Sequence, residues 1–183
     1  MLPELTTERL ILRPLQLEDA ARTQLLFPHW EIVQHLNAVV PWPYPPDGAF
    51  TFYRDSALPA IARNEEWHWT LRLKSDPALH IGSICLTRAA EENRGFWLGQ
   101  PWQGQGLMTE AAEAVTEYWF EVLGMPTLRT KKAAANLASR KISERLGMRF
   151  VGLQEHDFVA GRLPAETWEI TREEWKQQRA AQY

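Results

Sequence analysis

The stretch that decides the fold reads Gly95-Phe96-Trp97-Leu98-Gly99-Gln100-Pro101-Trp102-Gln103-Gly104-Gln105-Gly106-Leu107-Met108-Thr109-Glu110-Ala111. It opens as an apolar strand, passes a loop with a G-x-G pair and enters a helix. Met108, Ala111, Ala112, Val115, Trp119 and Val122 recur at helical spacing, which predicts one apolar stripe along that helix. Gly124 and Pro126 end it. Thr127-Leu128-Arg129-Thr130 follows as another strand. Strand, helix and strand with short connections predict a right-handed parallel crossover. At its first junction the glycines let backbone N–H groups converge. The unpaired N–H groups of the first helical turn add partial positive charge, so the turn suits a pyrophosphate; on the glycines alone it reads equally as a helix cap and turn. Thr109 stands where G-x-G-x-x-G needs its third glycine, which disfavours a doubly wound dinucleotide fold. No Gly-Lys-Ser/Thr follows, which excludes a Walker-type loop.

Outward from this unit, Arg9 to Arg13 reads as a strand ended by Pro14. Leu17 to Leu26 reads as a helix with Glu18 and Asp19 in its first turn. Proline density keeps Pro41 to Gly48 irregular. Phe50 to Arg63 is a second helix. Trp67 to Leu73 and His80 to Thr87 form a hairpin around Lys74-Ser75-Asp76-Pro77. Downstream, Asn136 caps a short helix from Leu137 to Leu146, closed by Gly147. A terminal hairpin, Phe150 to Val159 and Thr167 to Thr171, turns around Gly161, and a polar tail follows. The predicted class is α+β: a mixed, mostly antiparallel sheet with a central parallel βαβ crossover and helices on both faces.

The chain has 183 residues, which predicts one domain spanning 1–183. Its 20 basic and 23 acidic residues give a net charge of −3, which argues against an electrostatically driven nucleic-acid binder. No apolar run approaches the ~20 residues of a membrane span, and the N-terminus lacks the basic and apolar regions of a secretory signal. The single cysteine, Cys85, excludes a disulfide framework and a multi-cysteine zinc site, and reads as a buried strand residue. A soluble, cytoplasmic protein without a metal is expected. The nine tryptophans fit either a core or an apolar pocket.

Four pieces carry a resemblance, in order: Thr7-Glu8-Arg9-Leu10-Ile11-Leu12-Arg13-Pro14 with Asp19-Ala20; Trp42-Pro43-Tyr44; Gly104-Gln105-Gly106-Leu107-Met108-Thr109-Glu110-Ala111; and Asn136-Leu137-Ala138-Ser139 through Glu144-Arg145-Leu146-Gly147-Met148. With them the chain resembles the GNAT superfamily of N-acetyltransferases, in particular its RimJ/RimL-like branch, over nearly its whole length. Pro101 departs from the Gln/Arg that usually opens the G-x-G loop. Met148 stands where Phe is common, and the strand Gly95 to Leu98 carries no glutamate.

The resemblance implies an N-acetyltransferase that transfers acetyl from acetyl-CoA to a primary amine by direct attack in a ternary complex. The acceptor would be a protein N-terminus or a small-molecule amine. Such an enzyme must take a proton from the ammonium, stabilise an oxyanion and help a thiolate leave. By resemblance, Gln103, Gly104, Gln105, Gly106, Leu107 and Met108 form the pyrophosphate cradle. Trp97 and Leu98 offer backbone groups to the pantetheine arm and an amide to the oxyanion. Asn136 is a helix cap alone or also a cofactor contact. Ser139 is the general acid at the sulfur and a cofactor neighbour, or simply a first-turn serine. The base is sought among Glu155, His156 and Asp157, where strand alternation puts His156 on the face opposite the two carboxylates; a surface histidine is the bland alternative. Trp42, Tyr44 and His68 are acceptor-pocket candidates, equally readable as core-edge and strand residues. Of Lys131, Lys132, Arg140 and Lys141, one or two could meet the adenosine 3′-phosphate. Two rival readings remain: a non-catalytic acyl-CoA sensor on the same fold, and an apolar-ligand domain built on the tryptophans. A homodimer is compatible with this branch; neither a nucleic-acid nor a membrane partner is expected.

Overall fold

A computed structural model describes residues 2–181, so the outermost positions of the expected 1–183 domain lie outside it. The strands form two antiparallel sheets. The larger has the order β1 (Leu5–Thr6), β2 (Leu10–Pro14), β3 (Glu66–Leu73), β4 (Asp76–Thr87), β5 (Arg94–Leu98). The smaller has the order β6 (Thr127–Ala133), β8 (Gly161–Thr171), β7 (Arg149–Phe158). The strands on either side of the long helix therefore share no ladder. They meet at one place, where Asn93 N donates to Arg129 O (2.7 Å) and Arg129 N donates to Asn93 Oδ1 (2.8 Å). The expected α+β class with mostly antiparallel strands holds; the strands divide into two sheets joined at a seam, with no ladder between β5 and β6.

Period-two alternation sorts the larger sheet. Trp67, Trp69 and Leu71 of β3 join Leu10 and Leu12 of β2 in the main core beneath α5 (Leu107–Glu117). The intervening His68, Thr70 and Arg72 turn to the other face, where α1 (Ala20–Leu26) packs. There α3 (Gly48–Phe52), a π turn (Tyr53–Ala57) and α4 (Leu58–Ala62) run on as one rod over the predicted helical stretch. Helices thus cover both faces. Met108, Ala111, Ala112, Val115 and Trp119 are buried as the stripe predicted, and Leu107 is buried with them. Each large member contributes about 1.5–3 kcal/mol of burial.

Three local expectations change. The stripe ends early, because a π turn over Tyr118–Val122 adds a residue to the helical repeat. Tyr118, Trp119 and Phe120 go inward, while Val122 is 65% exposed. A one-turn helix, α2 (Trp30–Val33), was not anticipated, since four residues carry no periodic signal. The polar tail is a helix, α7 (Arg172–Ala180). Thr171 accepts from Glu174 N and Glu174 accepts from Thr171 N, and Trp175 packs on Phe120 with ring centroids 5.3 Å apart. Trp67, Trp69, Trp119, Trp168 and Trp175 are core residues, which removes the basis for an apolar-ligand domain built on tryptophans. Among the described residues no helix is long and apolar enough to cross a membrane.

Candidate active site

From the seam, β5 and β6 lead into a cleft of about 650 Å³. One wall is Phe96, Trp97 and Leu98 of β5, an edge strand of its sheet. Another is the start of α6 (Leu137–Arg145), with Ala135, Asn136, Leu137, Ala138 and Ser139. Gln103, Gly104, Gly106, Met108 and Thr109 close a third side, and α2 with its following turn supplies Glu31, Ile32, Gln34, His35 and Leu36.

The G-x-G loop is shaped by two left-handed residues, Gly104 at φ 75° and Gly106 at φ 79°. A Cβ at Gly104 would meet no atom within 4 Å, so the loop backbone faces open space there. Gly106 is the N-cap of α5, and no side chain caps the helix. Its first N–H groups, which by helix geometry lack intrahelical acceptors, end at the cleft. The loop is braced from behind. Glu110 accepts from Arg9 N (2.7 Å), Arg9 Nε (2.8 Å) and Thr7 Oγ1, while Arg9 Nη1 donates to Gln105 O (3.0 Å). Burial alone would raise the Glu110 carboxyl, but the hydrogen bonds from Thr7 and Arg9 outweigh it and hold it below the usual carboxylate range. Gln103 Nε2 donates to Leu98 O (2.8 Å), tying the loop to β5. The opening motif of the chain therefore acts as a clamp on the loop, which its sequence alone did not disclose.

Across α6, Asn136 Oδ1 accepts from Ser139 N (3.2 Å), so Asn136 is the helix N-cap and also lines the cleft. Ser139 is half-buried beside it. Lys141 and Arg145, farther along α6, also line the cleft, and among the described residues neither forms an ion pair. An uncapped helix end, a glycine, Gly104, with clear space before it, a free sheet edge and two cations without an ion pair are together suited to a phosphorylated ligand with an extended arm.

The cleft gathers Trp97, Leu98, Gln103, Gly104, Gly106, Met108, Asn136 and Ser139 from the predicted set. Gln105 turns back, its side chain donating to Pro101 O (3.1 Å), and Leu107 is buried in the core. The other predicted site residues lie outside the cleft wall. His68 is buried on the far face of the sheet, its Nε2 2.6 Å from Glu66 Oε2. Trp42 lies tilted against Trp30 (5.7 Å), and Tyr44 lies edge-on to Phe27 (5.1 Å), which in turn meets Trp97 (5.4 Å). Tyr44 thus supports a cleft residue from behind, and burial pushes its hydroxyl up to about 12. On β7, Glu155 and Asp157 point to solvent, and Asp157 faces Arg162 (3.4 Å). His156 turns inward onto Phe158 (5.0 Å), its Nε2 3.4 Å from Asn37 Nδ2. Burial, with Lys131 nearby, lowers its pKa.

Of the four candidate phosphate cations, Lys132 is buried, with Nζ donating to Ser143 Oγ and Thr130 Oγ1. Burial, reinforced by Arg94, pulls it down to about 7. Arg140 is paired with Glu166. Only Lys141 of the four stands on the cleft wall. Burial pushes the Cys85 thiol up to about 12, in keeping with an inert strand residue. Among the described residues no group of three His, Cys, Asp or Glu could hold a metal. The sequence reading missed His35, which lies in an unpredicted turn after α2, and Arg145, whose place in the helix gave no hint of the cleft.

Comparison with known proteins places this geometry. A family model described as "Acetyltransferase (GNAT) domain" matches residues 9–149. The Bacillus subtilis (strain 168) protein named "Putative ribosomal N-acetyltransferase YdaF" is 27% identical over 182 residues, covering 88% of this chain and 94% of its own. Two solved structures share the fold. The RimL ribosomal L7/L12 α-N-protein acetyltransferase in complex with coenzyme A has a TM-score of 0.75 at 17% identity, covering 94% of this chain and 98% of that one. The ribosomal-protein-S5-alanine acetyltransferase of Vibrio fischeri has a TM-score of 0.76 at 15% identity, with the same coverage of 94% and 98%.

Proposed function

Since the chain belongs to the GNAT acetyltransferase family and is an N-acetyltransferase, we propose that its donor is acetyl-CoA and its acceptor the N-terminal amine of a protein. The observation that carries the reading is the cleft in which an uncapped helix N-terminus and a free strand edge face the cap of α6. Bound there, acetyl-CoA supplies an acyl group activated as a thioester. The N–H groups of Leu107, Met108 and Thr109, with the loop from Gln103 to Gly106, hold a diphosphate, and Lys141 and Arg145 add positive charge. The Trp97–Leu98 edge binds an extended amide-bearing arm as an added strand would, and offers a backbone N–H to a developing oxyanion. Asn136 fixes the first turn of α6 and so the place of Ser139. The Ser139 hydroxyl holds a proton for the departing sulfur; its own high pKa makes it a relay. Trp42 and Tyr44, carried by the loop beside Trp30 and Phe27, border the acceptor entrance. Glu155, His156 and Asp157, on the hairpin beside the turn after α2, flank the same entrance and would meet the acceptor chain beyond its first residue. His68 has no part.

A protein N-terminus is favoured by its chemistry: an α-amine near pKa 7.7–8.0 is free far more often at neutral pH than a lysine amine near 10.4. The name of YdaF points to ribosomal proteins as the class to try first. Calorimetric titration with acetyl-CoA, followed by thiol release from acetyl-CoA with synthetic peptides matching ribosomal-protein N-termini, tests the reading. Saturable heat and peptide-dependent thiol release are expected. Absence of heat at millimolar acetyl-CoA removes the donor site; heat without transfer to any amine leaves a sensor in place of an enzyme.

A further inference from the structure

We propose that His35 takes the ammonium proton from the acceptor amine. The assignment rests on the proposed function and deepens it, since the geometry of the turn after α2 supplies what Glu155, His156 and Asp157 do not.

His35 lines the same cleft as Ser139 and Trp97. It is half-buried, and among the described residues its ring has no hydrogen bond, ion pair or aromatic contact. An imidazole in a cleft wall with both nitrogens unengaged is available to a ligand. Its backbone is fixed. Ala160 N donates to Gln34 O (3.0 Å), Val159 N donates to Leu36 O (2.9 Å), and Ala38 N donates to Asp157 O (3.0 Å). The turn is thereby pinned to the terminal hairpin on both sides of His35, and Val33 anchors it in a small core with Phe27. Preorganisation of this kind is what proton transfer needs.

Elimination points the same way. The charged groups that share the cleft are Glu31 from α2 and Lys141 and Arg145 from α6; on the hairpin behind the turn are His156, Asp157 and Arg162. Glu31 is exposed, and the two cations cannot accept a proton. His156 is engaged with Asn37 and Phe158. Burial lowers the pKa of His35, so its ring is neutral at physiological pH and can accept. In the step itself, R–NH3⁺ gives one proton to an imidazole nitrogen of His35, leaving R–NH2. The freed nitrogen lone pair forms the N–C bond to the acetyl carbonyl carbon while the C–S bond breaks. The second amine proton ends on the sulfur by way of Ser139, and His35 returns its proton to water.

The experiment compares the wild type with His35→Gln and His35→Ala, using an N-terminal peptide as acceptor. For the wild type, the acid limb of kcat/KM is expected below 6.5, the ordinary histidine value. In H35Q the amine must arrive already neutral, so the limb is expected to move up to about 8, costing about 100-fold at pH 6 and less than about tenfold at pH 9. Acetyl-CoA affinity by calorimetry stays within about twofold, which shows that the variant is folded. In H35A, imidazole in solution restores turnover. By NMR, the His35 ring in the free protein titrates below 6.5, and its midpoint shifts when the peptide is added. If the wild type acetylates and H35Q keeps the low limb, the His35 assignment falls alone. If the wild type acetylates no peptide, the proposed function falls first and His35 with it.

Discussion

On the proposed reading, the Ser139 hydroxyl separates turnover from binding. Its backbone N–H completes the Asn136 cap, so its position survives loss of the side chain. Ser139→Ala is expected to lower kcat by about 10²-fold with the acetyl-CoA dissociation constant within about twofold; an unchanged kcat excludes the hydroxyl from the reaction. Ser139 and Asn136 were legible because a cap and a first-turn position have sequence rules. His35 was not, since nothing in a lone histidine beside a four-residue helix announces a cleft. That the hairpin candidates lie outside the cleft wall was hidden for a related reason. Alternation assigns Glu155 and Asp157 to one face of β7 and His156 to the other, but it cannot say which neighbours occupy each face.

His80 is a second residue whose surroundings decide its chemistry. It is 2% exposed, with Nε2 2.9 Å from Thr23 Oγ1, which lies 2.7 Å from Tyr53 Oη. Burial, helped by the charges of Arg72 and Arg22, lowers its pKa to about 4 from an ordinary 6.5. The folded state holds it neutral, so its share of stability is whole above about 6.5. That share shrinks as acid protonates the unfolded chain first, down to about pH 4. The loss amounts to about 3 kcal/mol. Denaturant midpoints measured between pH 7 and 4 are expected to fall steeply in the wild type and more gently in His80→Gln; equal slopes would remove His80 as the cause.

Among the elements, α5 with its entry loop was the most legible, because a long stripe and paired glycines are both periodic or conformational signals. The register failed only after Tyr118, where a π turn intrudes that no stripe foretells. The C-terminal helix shows the opposite error. Its capping box, Thr171 and Glu174, was present in the sequence, but the polar composition after it masked the single inward Trp175. The loop also makes a prediction at its own scale. A Cβ at Gly104 meets no protein atom within 4 Å, so a side chain would project into the open space where the proposed diphosphate would sit, and the left-handed backbone resists it. Gly104→Val is expected to cost about 1–3 kcal/mol of folding stability and to weaken acetyl-CoA binding by about tenfold or more. Undiminished affinity by calorimetry would show that the ligand does not pass there.

For the molecule as a whole, class and the order of the longer elements from β2 to β8 followed from the sequence, and the family resemblance agrees with the domain match. The division into two sheets did not follow, because short-range patterns specify strands but not which edges stay apart. At the seam the fold keeps buried cations. Arg94 donates to Thr116 Oγ1 (3.1 Å), and burial pulls it down to about 10; Lys132 lies near it on the neighbouring strand. Charged groups held this close repel each other, and hydrophobic residues of similar volume are often no less stable in such places. Binding that fills the cleft is expected to stabilise the fold by about 2.7 kcal/mol at a hundredfold excess over Kd, so the melting temperature should rise with ligand concentration.

At the seam, one pair of contacts, Asn93 with Arg129, ties the start of β5 to β6 before the two strands part. Past that stitch each strand has amide groups that water must serve until something else does. A guest with its own peptide-like bonds would finish the unfinished rungs. Occupancy should then be readable as slowed deuterium uptake from Phe96 to Leu98 and around Ala135, far more than at the outer hairpin.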